Sequence, residues 1–294
     1  MSSSDKSGEA SPTGGVVTET ILDDPQLLLQ FRKGRSERLV VVFSSYAPKK
    51  KWRDVKTTAF SGSASQHGLH NVLFVVDKPG SFGLAPKLMT RVEKAARELC
   101  RQHGLNRVDV LGSSMGAYSG FLFADLLEVE VMVALAPMLV VDQTARRFDT
   151  RCDAWLYNVP QARTHPTVFD LLDRPKRICM AHGLNGRDAT YAAMVPNSDH
   201  LRHYLFPSSG HVVAKHLSSI GVLSKLIGAA FENKPEKMDQ HADTALGYLK
   251  GTLPSPKLLA RIAQLPEIAQ NPKHVPSRKL IQAIRRDTQL DTIF

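Results

Sequence analysis

Short, nearly continuous runs of apolar and β-branched residues recur along the chain between segments of mixed polarity. Arg38 to Ser45 (RLVVVFSS), Asn71 to Asp77 (NVLFVVD), Val108 to Leu111 (VDVL), Val131 to Ala136 (VMVALA) and Arg177 to Ala181 (RICMA) are each short and bounded by turn formers or polar residues. That is the pattern of strands covered on both faces, as in a parallel sheet. Between these runs the period changes. From Lys87 to Cys100, the residues Leu88, Val92, Ala95, Ala96 and Leu99 share one helical face. Lys87, Arg91, Glu93, Lys94, Arg97 and Glu98 lie around the other face, and Gly104 follows as a stop. Ala117 to Leu127 also reads as a helix, and another is expected from about Thr190 to Val195. His203 to Phe206 is a short last strand, after which Val213, Leu217, Ile220, Leu223 and Ile227 fall at the spacing of one further helix. The lead-in from Val16 to Arg35 is more polar and predicts a short edge strand and a short helix around Gln26 to Phe31. Strands alternating with helices predict an α/β fold, a doubly wound and mostly parallel sheet.

The alternation breaks twice. Between Pro137 and Pro175 there is no clear strand, and the stretch carries Arg146, Arg147, Arg151, Trp155, Tyr157 and several turn formers. Residues 138–176 are therefore expected to form a lid-like insertion over the C-terminal edge of the sheet, where ligands bind in such folds. From Asn233 onward, helical segments alternate with joints at Pro254, Pro256, Pro266, Pro272 and Pro276, which reads as a helical C-terminal appendage over residues 233–294. Residues 1–18 read as a disordered leader, leaving 19–232 as the main domain.

Composition narrows this picture. A chain of 294 residues with 43% hydrophobic and 22% charged residues is ordinary for a soluble globular protein. No apolar stretch is long enough to span a bilayer, and the N-terminus lacks the basic and apolar regions of a secretory signal. Cys100, Cys152 and Cys179 are far apart and odd in number, without disulfide or metal-ligand spacing, which suits a cytoplasmic protein. The net charge of +10 is spread along the chain with no nucleic-acid-binding module, so specific nucleic-acid binding is not expected. No glycine-rich dinucleotide fingerprint, phosphate-binding loop or metal cluster is present in the sequence, so no cofactor or metal is implied.

The stretch that carries chemistry is Val108 to Leu127, VDVLGSSMGAYSGFLFADLL. It holds a G-x-S-x-G pentapeptide, Gly112 to Gly116, with a strand before it and a helix after it. A serine on so sharp a turn needs a strained backbone, and a Cβ two residues away on either side would meet neighbouring backbone. Ser114 would stand clear of the sheet above a helix N-terminus able to stabilise an oxyanion. Asp188 and His211 follow in that order, each beyond the C-terminal end of an expected strand. His216 is one turn further along the last helix, and His200 and His203 read as ordinary polar positions. Asp142 and Asp199 are the competing acids.

With GSSMG, the Asp-bearing loop HGLNGRD and PSSGH before the last helix, residues Arg38 to Phe231 resemble the α/β-hydrolases. GSSMGAYSG and SSGHVVAKHL are similar, more narrowly, to a bacterial group of hydrolase-like proteins associated with surface-polysaccharide and glycan clusters. The resemblance implies nucleophilic acyl chemistry with Ser114 as nucleophile, His211 as base and Asp188 as the acid that orients it. It implies one oxyanion donor at the N–H of Met115 and a second in the loop after the first parallel strand, at Ser45 or Tyr46. The family's usual His-Gly or Gly-Gly pair is missing from that loop. Lys49, Lys50, Lys51 and Trp52 follow, and with His182 they are the candidate substrate-binding residues. Charge there suits an anionic, small-molecule or glycan-linked acyl substrate, although a solvated charged loop explains the lysines equally well. The expected function is a serine esterase, deacylase or acyltransferase. The alternative is a catalytically degenerate binding or scaffold protein that meets a protein partner through its C-terminal helices.

Overall fold

The central strands show how the layers arise. In a computed structural model describing residues 17–46, 60–142, 145, 149, 165–254 and 256, strand β3 (Arg38–Phe43) sends Leu39, Val41 and Phe43 into one apolar cluster and Val40 and Val42 into another. Strand β4 (Asn71–Asp77) does the same with Leu73 and Val75 against Val72 and Phe74. Both faces are covered, which is why these segments read as continuous apolar runs.

The elements follow in chain order. A hairpin of β1 (Thr18–Asp23) and β2 (Leu27–Arg32) precedes β3, and a short helix α1 (Ser61–Ser65) precedes β4. Helix α2 (Leu88–His103) leads to β5 (Arg107–Ser113), α3 (Met115–Ala124) and β6 (Val131–Leu135). After the insertion come β7 (Arg177–Gly183), α4 (Asp188–Met194), β8 (Leu201–Phe206), α5 (Val213–Ser219) and α6 (Leu223–Phe231). Helix α7 (Pro235–Thr244) and strand β9 (Tyr248–Leu249) complete the described chain. Among the described residues, nine strands form one sheet in the order β1-β2-β4-β3-β5-β6-β7-β8-β9. It is parallel from β4 through β8 and antiparallel at β1, β2 and β9. Residues of α2 and α3 pack in the cluster on one face, and residues of α1, α5, α6 and α7 in the cluster on the other. The expected doubly wound, mostly parallel architecture is thus present.

Three expectations are corrected. The helix expected around Gln26 to Phe31 is strand β2, in which Leu27, Leu29 and Phe31 are buried and alternate with half-buried residues. The single helix expected from Val213 to Ile227 is two, because Gly221 adopts φ 69 between them. The core also continues past residue 232. Met238, Ala242 and Ala245 pack in the same cluster as α6, and β9 pairs with β8, so the first part of the expected appendage belongs to the main domain. Residues 257–294 lie outside the described residues, as do 1–16. Of the expected insertion, 138–142, 145, 149 and 165–176 are described. Its two ends meet at an antiparallel bridge between Val140 and Thr167.

The N-terminal edge of the sheet is tied by charge. Asp109 of β5 is fully buried and accepts from Arg38 Nε at 3.2 Å, Arg107 Nε at 3.1 Å and the Val131 N–H at 3.1 Å. Both guanidiniums also donate to the carbonyl of Phe231, at 3.2 and 2.6 Å, where α6 ends and its dipole favours cations. One carboxylate therefore links β3, β5, β6 and α6. Asp109→Ala would leave two adjacent guanidiniums uncompensated, and is expected to lower unfolding free energy by about 3–5 kcal/mol in a denaturant titration.

Candidate active site

Ser114 occupies the turn between β5 and α3 with φ 55 and ψ −119, a conformation that costs a non-glycine residue on the order of 1–3 kcal/mol. Its surroundings hold it there. The Ser114 N–H donates to the Leu135 carbonyl of β6 at 2.9 Å, and its own carbonyl accepts from Ala117 and Tyr118 in the first turn of α3. The two glycines of the pentapeptide make the turn possible. A Cβ on Gly112 would lie 2.4 Å from the Gly116 carbonyl oxygen, and one on Gly116 would lie 2.3 Å from that of Phe43. The exit of β3 is thus seated directly on the start of α3.

His211 comes from the loop after β8 and Asp188 is the first residue of α4, after β7. Ser114 Oγ is 2.8 Å from His211 Nε2, and His211 Nδ1 is 2.7 Å from Asp188 Oδ1. With the Nδ1–H donating to the Asp188 carboxylate, a neutral imidazole turns the lone pair of Nε2 toward the serine hydroxyl. The Asp188 side chain is almost fully buried, whereas that of His211 is 29% exposed, so the far end of the chain of hydrogen bonds opens to substrate. Two more glycines bring the loops together. A Cβ on Gly183 would lie 2.3 Å from the Ser209 carbonyl oxygen, and one on Gly210 would lie 2.9 Å from that of Asn185. Asn185 N–H donates to that Ser209 oxygen at 2.9 Å.

The expected oxyanion residues are near the same turn. Met115 is the first residue of α3, and its N–H is among those a helix leaves without an intrahelical acceptor. In the loop after β3, the Ser44 N–H is taken up by the Val75 carbonyl, extending the sheet by one bond. Ser45 Oγ donates to the Ser113 carbonyl at 3.0 Å, tethering the loop to the residue before Ser114. Tyr46 is half-buried against the cluster on the α3 face.

Lys49, Lys50, Lys51 and Trp52 lie outside the described residues. His182 does not line the site, because its side chain is fully buried. Instead its Nδ1 is 2.8 Å from Nε2 of His203, which is buried as well. No local pattern singles out His203, since a lone histidine within a strand reads as a polar position and only its neighbours across the sheet bury it. Of the other histidines, His200 lies between Ser198 Oγ and the Leu172 carbonyl, and His216 is bound to Ser208 Oγ.

The sequence matches no known protein family and no curated protein. Solved structures do resemble the fold. A double mutant of the esterase E40 is 16% identical with a TM-score of 0.51, over 79% of this chain and 88% of that one. The chain has the α/β-hydrolase fold. The Pyrococcus furiosus esterase Pf2001 is 14% identical with a TM-score of 0.49, over 72% of this chain and 87% of that one. The capsule O-acetyltransferase of Neisseria meningitidis serogroup A is 13% identical with a TM-score of 0.44, over 69% and 92%. In this α/β-hydrolase-fold chain, no helix among the described residues is long and apolar enough to cross a membrane.

The buried histidines make stability depend on pH. Burial pushes His182 from 6.5 down to about 4 and His203 well below its ordinary value, while burial and the neighbouring Arg38 and Arg107 push His70 to about 4. In the unfolded chain these rings take up protons below pH 6.5, but in the folded chain His182 and His70 resist until near pH 4, and burial makes His203 resist as well. The folded state is therefore fully favoured above pH 6.5 and loses ground as pH falls from 6.5 toward 4, by up to about 3 kcal/mol for His182. Chemical denaturation between pH 7 and pH 4.5 is expected to give a falling midpoint, with a shallower fall in His182→Asn.

Proposed function

We propose that the protein is a serine hydrolase or acyltransferase acting on an ester or related acyl bond. The observation that supports this reading is the continuous chain from Ser114 Oγ through His211 to Asp188, at 2.8 and 2.7 Å, on a strained turn of an α/β-hydrolase fold. E40, which shares the fold, is an esterase by its name. In the proposed reaction, Ser114 Oγ attacks the acyl carbonyl carbon while its proton passes to His211 Nε2. Asp188 keeps the ring oriented and stabilises the imidazolium that forms. The N–H of Met115, with one from Ser45 or Tyr46, receives the developing oxyanion. His211 then returns its proton to the leaving oxygen, the carbonyl re-forms, and an acyl-serine remains. Water or an acceptor alcohol, deprotonated by His211, releases the acyl group.

Labelling by a fluorophosphonate probe tests this reading. Wild type is expected to be labelled and Ser114→Ala is not; a folded wild type that stays unlabelled would favour a binding or scaffold role for the fold. Asp188→Asn is expected to lower kcat on an activated ester by a factor on the order of 10³–10⁴, because the ring loses its orienting carboxylate.

We further propose an anionic or carbohydrate-linked substrate, on the strength of Lys49, Lys50 and Lys51, which follow the Ser45–Tyr46 loop after Ala47 and Pro48 in sequence. Reversing all three charges is expected to raise KM for an anionic ester more than for a neutral one, and the difference should shrink as salt is added. An unchanged KM for the anionic ester at every ionic strength would remove the idea.

A further inference from the structure

His182 and His203 face each other from neighbouring strands β7 and β8, with ring centroids 5.0 Å apart and planes at 68°. Beyond the 2.8 Å contact between His182 Nδ1 and His203 Nε2, His182 Nε2 lies 3.3 Å from the carbonyl of Pro137. With both rings neutral, these contacts fix where the protons are. A carbonyl can only accept, so His182 Nε2 carries a hydrogen. A neutral His182 then accepts at Nδ1, His203 donates from Nε2, and His203 Nδ1 is left with a lone pair. That last atom is buried without a hydrogen-bond partner among the described residues, and none of these offers an acceptor for a second proton on His203.

His182 sits near the ends of β6 and β7, while His203 reaches it from within β8. Pro137 begins the path out of β6, just after Ala136 turns at φ 45. His182 is the penultimate residue of β7, and the following Gly183 abuts the carbonyls of Ser209 and Gly210, immediately before His211. Asp188 is six residues beyond His182. The charged groups acting on His182 are Asp188, which favours its protonation, and His211 and Lys250, which oppose it. Lys250 acts on His203 in the same sense, and its backbone N–H donates to the His203 carbonyl.

We propose that His182 and His203 form an uncharged positioning unit that holds the loops of Asp188 and His211 in register and, by staying neutral, leaves the Asp188 carboxylate to His211. The proposal rests on the assignment of Ser114, His211 and Asp188 as the reacting groups. His182 and His203 do not touch substrate; they act through the two loops. If His182 were charged, it would compete with His211 for Asp188 and weaken the hydrogen bond that orients the base.

The test uses ring nitrogens and runs in the full chain. In Ser114→Ala protein with ¹⁵N-labelled imidazoles, His182 and His203 are expected to remain neutral Nε2–H tautomers from pH 5 to 8, and His211 to show a far-downfield Nδ1–H resonance. His203→Leu removes the donor to His182 and should broaden that resonance and shift the titration midpoint of His211. His203→Gln, whose amide nitrogen can reach the position of Nε2, should restore both. With Ser114 present, His203→Leu is expected to lower kcat roughly tenfold at unchanged KM, and His203→Gln to recover it. Titration of either buried ring between pH 6 and 7, or a folded His203→Leu protein with an unaltered His211, would overturn the proposal. If His203→Leu does not fold, His203→Met, which removes the same donor with a longer and more adaptable side chain, gives the same comparison. The resonance measurements need no catalysis, so an unlabelled Ser114 would refute the hydrolase reading while leaving this test standing.

Discussion

The site depends on the approach of one backbone segment to another with no side chain between them. The carbonyl of Phe43, at the end of β3, occupies the space that a Cβ on Gly116 would need. That contact seats the Ser45–Tyr46 loop on the first turn of α3, while the bond from Ser114 N–H to Leu135 fixes the turn from the β6 side. A residue held at φ 55 and ψ −119 would relax if either neighbour withdrew. The strain is thus distributed over β3, β5 and β6, which are hydrogen-bonded side by side in the sheet. Ser45 adds a side-chain tether from the loop to Ser113.

The other half of the site is assembled by the same device. Gly183 and Gly210 let the β7 and β8 loops meet backbone to backbone, which brings Asp188 under His211. Four glycines at four close approaches explain why the spacing of GSSMG, HGLNGRD and PSSGH carries so much of the site. Each motif contributes one side chain of the proposed triad and at least one place where a side chain is forbidden.

That coupling also explains what was legible beforehand. Ser114, Asp188 and His211 could be picked out because each follows a buried strand and stands beside a glycine or a turn former. The buried runs Arg38–Phe43 and Asn71–Asp77 were legible because both faces are apolar. Strand β2 was not, because LLLQFR is short enough to fit either period. What decides it is pairing with β4 and the turn at Asp24, whose carboxylate accepts from Gln26 and Leu27. The break at Gly221 was hidden because apolar residues continue at helical spacing on both sides; Ile220, counted among them, is in fact 46% exposed. The burial of His182 and His203 depends on contacts across strands, which no local pattern records. Helix α7 and β9 were obscured by the proline-rich composition that follows them.

The two ends of the sheet do different work. At the N-terminal edge, Asp109 with Arg38 and Arg107 locks β3, β5 and the end of α6 by charge-assisted hydrogen bonds. Beyond the C-terminal ends of the strands the buried polar groups are mixed: Asp149 pairs with Arg187 at 3.3 Å and Asp188 with His211 at 2.7 Å, while His182 and His203 bond to each other. The histidine pair supplies a directional hydrogen bond between β7 and β8 without adding a fixed charge of its own. Under the proposed reaction, the charge on Asp188 is then left to be balanced by His211 when the ring takes up the serine proton.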